Sequence, residues 1–430
     1  MPLHRIACAS SQSGSSKPAC GRGLQNGPPI IHGGAAAAGR RSVGCVGIAW
    51  RDGTVASAWL AGKLRSARRV ITRTRASLSR RGNRRVKVLT ETIRASGPIP
   101  GNNRAALDGF AVQSSASLGA SSYNPIRLPL IGVAAGDVLP AGTDAVVPLQ
   151  LAEPDDQACI GIVEAVAAGD YVEQQGAIAA IGATLVPAGT RLAARHIGLL
   201  TMAGLSEVSV VRRPRVRILI AKPTKAGASE VSNGSMIRVA VERDGGVIGE
   251  CVAVERDKMT IRAALVETDA DIAIVIGGTG RGANDHSATA LADAGELAIH
   301  GVTLRPGETT GLGRTVSGVP VVLLPGAPAS CLWAYELFAG RAIRRLGGRV
   351  GELPYRSRET ITARKIVSSL GMTEICPVRF GVGDTVEPLP SFAETGLMAA
   401  VGADGFVIVP QGSEGYPQGA RLTVYLYDEY

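Results

Sequence analysis

Hydrophobic residues between positions 214 and 348 fall in short apolar runs that alternate with segments of helical periodicity. The runs predict strands at residues 216–221, 249–256, 271–278 and 319–326, and the periodic segments predict helices at residues 235–245, 259–269, 287–295 and 330–348. Strands that alternate with helices are typical of a parallel, doubly wound sheet. Ligands of such sheets bind outside the carboxyl ends of the strands, so the residues that follow each strand are the first candidates for function.

The segments on either side of this α/β region predict β structure. Between residues 110 and 170, short apolar runs are separated by Gly and Pro, which favours a small all-β unit. Apolar residues at helical spacing from Leu192 to Leu200 predict a helix that stops at Gly204. Residues 355–430 alternate again and predict a small β-barrel or sandwich. The predicted fold class is α/β plus β, with a doubly wound parallel-sheet central domain, a small all-β insertion domain before it and a C-terminal β-barrel domain.

Residues 1–85 differ in composition from the rest of the chain. Residues 1–88 contain 17 of the 46 Lys and Arg residues but only one of the 36 acidic residues, Asp52. Such a segment buries little apolar surface and repels itself, so we expect disorder or weak helix. Three interpretations are open: a basic tail, an acid-poor transit-like leader, or translated sequence upstream of the true start.

The formal net charge of +10 does not by itself indicate nucleic-acid binding. Because the excess of basic residues belongs to the N-terminal segment, the rest of the chain is mildly acidic and offers no basic face for a phosphate backbone. Aromatic residues, which would stack on bases, make up 4% of the chain. We therefore expect no nucleic-acid partner for the folded body.

The cysteine pattern and the hydropathy point to a cytoplasmic protein. The seven cysteines are odd in number and form no Cys-x-x-Cys pair, which argues against a disulfide framework or a zinc ribbon. No apolar run reaches the roughly 18 residues that a bilayer span requires, so no membrane partner is expected. The five histidines lack metal-ligand spacing, and no Gly-x-Ser-x-Gly elbow indicates a hydrolase.

A glycine loop, Gly277-Gly278-Thr279-Gly280-Arg281-Gly282, follows one predicted strand and precedes a helix. Glycines let backbone amides approach an anion, and the helix N-terminus adds partial positive charge. The spacing fits neither a Walker loop nor the nicotinamide fingerprint, and a tight turn without a ligand is the alternative. Asp285 either caps the following helix or holds a Mg²⁺ ion next to a phosphate.

A second loop follows the predicted strand at residues 319–326. It contains Pro325, Gly326, Pro328 and Ser330, and its prolines predict a rigid backbone whose serine caps a helix or binds an oxyanion. Arg305 and Arg314 are predicted near the same edge, since guanidinium groups suit bidentate contact with phosphate or molybdate. A solvated loop charge is the alternative for each arginine. Asp108, in an Asp-Gly step after two prolines, is either a turn residue or a functional carboxylate.

At these motifs the chain resembles the molybdopterin molybdenumtransferase family, which includes the E-domain of gephyrin. The matching segments occur in the family's order, and they are residues 99–112, 134–147, 182–219, 232–236, 277–287, 300–308, 323–338, 370–374 and 403–412. The resemblance covers roughly residues 86–430. Its abrupt start near Val86 favours translated upstream sequence as the interpretation of residues 1–85.

The resemblance implies a domain organisation. Residues 86–109 together with 171–213 are expected to form a linker or dimerisation domain, and residues 110–170 the small β domain. Residues 214–350 are expected to form the molybdopterin-binding α/β domain and residues 355–430 the C-terminal β domain. A homodimer is implied, and a client molybdoenzyme is an expected partner.

The resemblance also implies the reaction, which is insertion of molybdate into adenylylated molybdopterin with release of AMP, assisted by Mg²⁺. By position, Asp108 and Asp285 match catalytic aspartates, and Asp285 would ligate the metal. The substrate-binding residues that match by position or by site chemistry are Gly277, Gly278, Thr279, Gly280, Arg305, Arg314, Pro325, Gly326, Pro328 and Ser330.

Several positions depart from the family's pattern. Ala177, Ile178 and Ala283 stand where the family has acidic residues, and residues 221–227 lack the two carboxylates expected there. Ala135 replaces a threonine, and Glu308 replaces a lysine. Loss of metal carboxylates or phosphate lysines weakens transition-state stabilisation. A non-catalytic paralogue that binds molybdopterin, the cofactor or a client molybdoenzyme is therefore the alternative to an active transferase.

Overall fold

The computed structural model describes residues 73–78, 87–154, 158–222 and 228–427. The expectations for residues 1–72 and 79–86 lie outside the described residues. Within the described part, no helix combines the length and the apolar character that crossing a membrane requires.

In the described part of the N-terminal half, the chain forms short strands, two 3₁₀ turns (Ser114–Ser117 and Leu149–Leu151) and one α-helix. The strands before the small β unit are β1 (Arg73–Ser77), β2 (Ile93–Arg94) and β3 (Arg104–Ala105). The small β unit contains β4 (Gly109–Val112), β5 (Ile126–Pro129), β6 (Gly132–Val133), β7 (Ala145–Pro148), β8 (Ala152–Pro154) and β9 (Cys159–Ile162), arranged as the sheets β6-β4-β7 and β5-β9-β8. The chain then forms β10 (Val172–Glu173), β11 (Thr184–Val186), helix α1 (Ala194–Met202) and β12 (Glu207–Val211).

The helix predicted near residues 192–200 is confirmed as α1, and Gly204 follows it with a left-handed φ of 80°. Strands β10 and β11 precede α1 in the chain and pair with β3 and β2, respectively. After the small β unit the chain therefore returns to the strands that precede this unit.

Strand β1 corrects part of the expectation for residues 1–85. It pairs with β12 in antiparallel register from Arg73↔Val211 to Ser77↔Glu207. Ala76 is buried in a cluster with Leu200 and Val208, while Arg75 is exposed on the opposite face. The pairing with β12 and the burial of Ala76 make residues 73–78 part of the folded body.

A six-stranded sheet forms the centre of the α/β domain. The elements of this domain along the chain are β13 (Arg215–Lys222), α2 (Ala228–Arg243), β14 (Val247–Glu255), α3 (Lys258–Val266), β15 (Ile272–Ile276), α4 (Ser287–Ala294), β16 (Gly295–His300), β17 (Leu304–Arg305), β18 (Gly311–Thr315) and β19 (Pro320–Leu324). Strand β17 is not part of the six-stranded sheet and pairs with a strand of the C-terminal domain. The strand order is β14-β13-β15-β19-β18-β16, and the first four strands are parallel. The predicted parallel core is confirmed.

Two antiparallel strands, β18 and β16, extend this sheet and were not predicted. The connection from β18 to β19 contains only four residues, which is too short for a parallel crossover. The central strands are buried on both faces. Ile272, Ile274 and Ile276 face one apolar cluster, and Ala273 and Val275 face the other, so helices cover both sides of the sheet as predicted.

A long helical segment links the sheet to the C-terminal domain. It consists of α5 (Pro328–Ala334), a π-helical turn (Tyr335–Ala339) and α6 (Gly340–Leu346). The C-terminal elements are β20 (Ser357–Thr362), β21 (Ile366–Val367), β22 (Thr373–Phe380), β23 (Thr385–Pro388), α7 (Phe392–Thr395), α8 (Met398–Val401), β24 (Gly405–Val409), β25 (Gly415–Tyr416) and β26 (Arg421–Leu426).

The predicted C-terminal β-barrel is confirmed. Strands β22, β23, β20, β26 and β24 pair in that order, and β24 pairs back to β22 to close the barrel. Trp333 of α5 packs edge to face against Phe406 of β24, with ring centroids 4.5 Å apart, and against Phe392 of α7 at 5.6 Å. Aromatic burial of this kind attaches the barrel to the sheet domain.

Candidate functional site

The two candidate loops lie side by side at the carboxyl edge of the central sheet. Ile276 and Leu324 are register partners at the ends of the parallel strands β15 and β19. The amide of Gly277 donates a hydrogen bond of 2.9 Å to the carbonyl oxygen of Leu324. A Cβ placed on Gly326 would lie 3.6 Å from the Cα of Gly277. The structure therefore brings the glycine loop and the proline loop together, as the sequence predicted.

The glycine loop has a backbone conformation that residues other than glycine rarely adopt. Gly277 and Gly278 have φ values of 88° and 64°, in the left-handed region. A Cβ on Gly278 would lie 2.9 Å from the hydroxyl oxygen of Ser287. Ser287 in turn donates from its amide to Gly278 and from its hydroxyl to the Gly277 carbonyl at 2.7 Å. The loop is thus fastened to the first turn of α4.

Asp285 closes the glycine loop instead of capping α4. One oxygen of its carboxylate accepts a hydrogen bond of 3.1 Å from the Gly282 amide. A Cβ on Gly280 would lie 2.4 Å from that same oxygen, so a larger residue there would displace the Asp285 carboxylate. The residue at the N-cap of α4 is His286, which makes no side-chain cap. The helix-capping interpretation of Asp285 is therefore wrong.

Thr279 points inward from the loop. Its side chain is 2% exposed, and its hydroxyl oxygen lies 2.9 Å from that of Thr309. Its carbonyl oxygen lies 2.9 Å from Nε2 of His300. These contacts tie the glycine loop to the segment that carries Arg305, so Thr279 supports the loop from the inside.

Arg256 is a basic residue at this edge that the sequence analysis did not single out. It directly follows β14, and its Nε donates to the Ala221 carbonyl at 3.2 Å. Nη1 of its guanidinium lies 4.0 Å from Asp285. Nη2 would lie 3.3 Å from a Cβ on Gly277. The available signal was its place immediately after a parallel strand, where ligand-binding residues of such sheets occur.

The residues around Asp285 do not fit a Mg²⁺ ion. Mg²⁺ prefers near-octahedral oxygen coordination with one or two carboxylates. Among the described residues, no three His, Cys, Asp or Glu side chains are grouped so that they could hold a metal. Residues 223–227, outside the described part, read Pro-Thr-Lys-Ala-Gly and contain no carboxylate.

The guanidinium of Arg256 adds an electrostatic objection to the metal. Nη1 of Arg256 lies 4.0 Å from Oδ1 of Asp285, so a cation bound to this oxygen would stand close to a like charge and be repelled by it.

The proline loop is held by an asparagine that the sequence analysis also missed as a candidate. Asn233 of α2 is fully buried, and its Nδ2 donates a hydrogen bond of 2.7 Å to the Gly326 carbonyl. Pro325 is buried, and Pro328 occupies the first turn of α5, where the N-cap is Ala327. Ser330 is the third residue of that helix, so the interpretation of Ser330 as the helix cap is wrong.

A cavity of about 470 Å³ separates the proline loop from the barrel domain. Its polar lining residues are Arg305, Glu308, Ser330, Glu374 and Ser391. The volume falls within the range of about 300–1,000 Å³ that is typical of small-molecule sites. Arg305 and Ser330 thus share one cavity, so the two residues lie near the same edge as expected.

Arg305 is already paired within this cavity. Its Nε lies 3.3 Å from one carboxylate oxygen of Glu308, and its Nη1 donates to the Ser369 hydroxyl at 2.9 Å. The other oxygen of Glu308 accepts from the Gly307 amide at 3.0 Å. Glu308 therefore holds two donors that an oxyanion would also bind.

Arg314 does not lie at this edge, so its predicted place is wrong. In the antiparallel pair of β18 and β19, Gly311 stands opposite Leu323 and Arg314 opposite Pro320. Arg314 is thus at the amino end of β19, five residues and roughly 16 Å before Pro325 of the proline loop at about 3.3 Å per residue. Its guanidinium forms a salt bridge of 2.6 Å with Glu296.

Asp108 belongs to the small β unit. It precedes β4, is exposed, and accepts a hydrogen bond of 2.7 Å from the Ala135 amide. Gly109 beside it is needed for close packing, since a Cβ there would lie 2.3 Å from the Val147 carbonyl oxygen. The contact that Asp108 makes supports its turn interpretation and does not connect it to the glycine loop.

Three family descriptions match successive parts of the chain. Residues 61–204 match the MoeA N-terminal region (domain I and II), residues 216–345 the "Probable molybdopterin binding domain", and residues 359–427 the MoeA C-terminal region (domain IV). The two candidate loops and Arg256 all lie within the second of these matches.

Curated relatives and solved structures agree with these matches. The chain is 25% identical over 381 residues to the molybdopterin molybdenumtransferase of Bacillus subtilis, covering 80% of this chain and 88% of that protein. It is 27% identical over 310 residues to molybdopterin molybdenumtransferase 2 of Mycobacterium tuberculosis, covering 64% and 75%. The fold is similar to that of a molybdopterin biosynthesis MoeA protein from Pyrococcus horikoshii, with a TM-score of 0.70, 24% identity, and coverage of 86% of this chain and 99% of that one.

Proposed function

Since the chain belongs to the MoeA-like molybdopterin molybdenumtransferase family and acts in molybdenum cofactor biosynthesis, we propose that it inserts molybdate into adenylylated molybdopterin with release of AMP. The observation that carries the proposal is the hydrogen bond between Gly277 and Leu324, which joins the glycine and proline loops at one ligand-binding edge.

In the proposed complex, the glycine loop binds the phosphate groups of the substrate. The amides of the loop other than those of Gly277 and Gly282, which donate within the protein, supply neutral donors, and Arg256 supplies the adjacent positive charge. The rigid backbone of Gly277 and Gly278 holds these groups without reorganisation, which is the condition under which electrostatic stabilisation is most effective.

Molybdate is assigned to the cavity beside the proline loop. Arg305 and Ser330 line this cavity and offer a guanidinium and a hydroxyl to an oxyanion. Burial of Pro325 and the hydrogen bond from Asn233 to Gly326 fix the wall of the cavity. The role of these residues is to bind and orient the two reactants next to each other and to exclude water.

The reaction itself provides the test. Purified protein is incubated with adenylylated molybdopterin and molybdate, with and without Mg²⁺, and released AMP is measured by chromatography. Gly318→Ala, at a glycine with a left-handed φ of 86° and open space around an added Cβ, is the matched control. Molybdate-dependent AMP release that Gly277→Ala abolishes and Gly318→Ala retains is the expected result. Absence of release under every condition would overturn the proposed reaction.

A second candidate, a non-catalytic protein that binds molybdopterin or the cofactor, is favoured by one specific observation. The only acidic side chain in the glycine loop, Asp285, is engaged by the Gly282 amide and lies near Arg256, so the loop lacks the carboxylates that activate phosphate transfer through a metal. Retained molybdopterin binding without AMP release would identify this function.

Assembly and partners follow from the family resemblance. We propose a homodimer, and a molybdoenzyme that receives the product is the proposed client; a cytoplasmic location remains a prediction. Sedimentation equilibrium of the purified chain tests the homodimer, and a monomeric mass at micromolar concentration would contradict it.

A further inference from the structure

Arg256 is the basic side chain that the described structure fixes against the glycine loop. Its main-chain amide donates to the Lys222 carbonyl at 2.9 Å, and its Nε donates to the Ala221 carbonyl at 3.2 Å. The side chain is 19% exposed. The hydrogen bond from Nε to the end of β13 and the low exposure restrict the guanidinium, which reduces the entropy lost when it binds a ligand.

The Arg256 side chain packs against the first two residues of the glycine loop, Gly277 and Gly278. A Cβ on Gly278 would lie 3.2 Å from Cγ of Arg256, and one on Gly277 would lie 3.3 Å from its Nη2. The same group faces Asp285 at 4.0 Å, so it neutralises the carboxylate that would otherwise repel a phosphate. Among the described residues, Lys222 at the end of β13 and the exposed Arg281 are further basic residues of this edge.

We propose that Arg256 serves as the resident cation for phosphate binding at the glycine loop, in the place where a divalent metal would act. The inference rests on the proposed function, because it assumes that the loop binds the substrate's phosphates. A guanidinium can replace the charge of a metal at a phosphate and adds directional hydrogen bonds. Asp285 then shapes the loop through the Gly282 amide and is not a metal ligand.

The test measures binding of ADP, which carries an adenosine and a pyrophosphate group, by isothermal titration calorimetry. Titrations are run in excess EDTA and in excess MgCl₂ on the wild-type chain, Arg256→Ala, Arg256→Lys and the control Arg358→Ala. We expect the ADP affinity of the wild-type chain to change less than about twofold with Mg²⁺. Arg256→Ala should weaken ADP binding at least about tenfold. Arg256→Lys should weaken it less, since lysine keeps the positive charge but cannot donate the two parallel hydrogen bonds of a guanidinium. Arg358→Ala should bind as wild type.

A metal readout that does not depend on activity completes the test. Mn²⁺, used as a paramagnetic substitute, is titrated against the wild-type chain and Asp285→Asn and followed by electron paramagnetic resonance. Absence of a bound ion supports the inference. ADP binding that requires Mg²⁺, or a Mn²⁺ site that Asp285→Asn removes, would overturn the inference while leaving the proposed function intact. If the wild-type chain binds neither ADP nor molybdopterin in either buffer, both the inference and the proposed function are wrong.

Discussion

Arg243 and Glu336 form a two-armed ion pair between α2 and the π-helical turn. Nη1 lies 2.8 Å from Oε1 and Nη2 lies 2.9 Å from Oε2. Glu336 is fully buried and also accepts a hydrogen bond from the Tyr355 hydroxyl at 3.0 Å. Burial disfavours the charge of the Arg243 guanidinium, but Glu336 outweighs this and raises its pKa. This pair joins the helix that holds the proline loop to the segment that leads into the barrel.

Neutralising Glu336 is expected to destabilise the protein. Glu336→Gln leaves the Arg243 guanidinium without its principal counter-charge, which should lower the free energy of unfolding by about 3 kcal/mol. Glu296→Gln is the matched control, because the Glu296–Arg314 pair is about two-fifths exposed on both sides and should contribute less than about 1 kcal/mol. Urea unfolding measures both, and equal losses in the two variants would contradict the prediction.

Gly278→Ala is expected to impair ligand binding more than stability. The φ of Gly278 is left-handed, and the added Cβ would lie 2.9 Å from Ser287, so the loop must move. We expect molybdopterin affinity to fall about tenfold or more, with a stability loss of about 1–2 kcal/mol. Gly318→Ala tests the backbone effect alone, since Gly318 has a φ of 86° and open space around its Cα. Similar affinity losses in both variants would show that the loop has no special role.

The sequence predicted which edge of the sheet binds ligands, because the features that mark this edge lie within each strand and the loop that follows it. The central strands are apolar on both faces, so continuous runs such as Ile272–Ile276 indicate buried parallel strands, and the residues after them must lie at the carboxyl edge. The glycine and proline loops could be placed together on this ground alone.

The errors concern features that depend on partners distant in the chain. The position of Arg314 depends on an antiparallel hairpin whose strand β18, with two glycines and a threonine, lacks a clear strand pattern. Strand β1 is rich in arginine and becomes a strand only because β12 offers a buried face for Ala76. Arg256 was missed because its proximity to Asp285 arises from sheet order and not from spacing in the sequence.

Removing the charge of Glu308 is expected to strengthen oxyanion binding. Its carboxylate holds the Arg305 guanidinium and the Gly307 amide, so molybdate must displace it or bind beside a negative charge. Glu308→Gln should therefore bind molybdate about tenfold more tightly, measured by calorimetry. Glu387→Gln, on the exposed face of β23, removes the same charge from the barrel and should have no effect. Unchanged or weaker binding by Glu308→Gln would mean that Glu308 does not compete with the anion.

The Cys376 thiol is expected to make stability fall with alkaline pH. Burial, assisted by the negative charge of Glu374, raises the pKa of Cys376 from 9.0 to about 12. The unfolded chain therefore loses the thiol proton at a lower pH than the folded chain does. The stability that this group contributes is fully present below pH 9.0 and is lost as pH rises from there toward about 12, by at most about 1.4 kcal/mol per pH unit.

Urea unfolding at a series of pH values between about 8 and 10.5 tests this linkage. Cys376→Ala should show a shallower decline than the wild-type chain over that interval. Ile375→Val, one position earlier on β22, removes buried volume without a titratable group. It should lower the free energy of unfolding by about 1 kcal/mol at every pH and keep the wild-type slope. A Cys376→Ala curve parallel to that of the wild-type chain would show that this thiol ionises alike in both states.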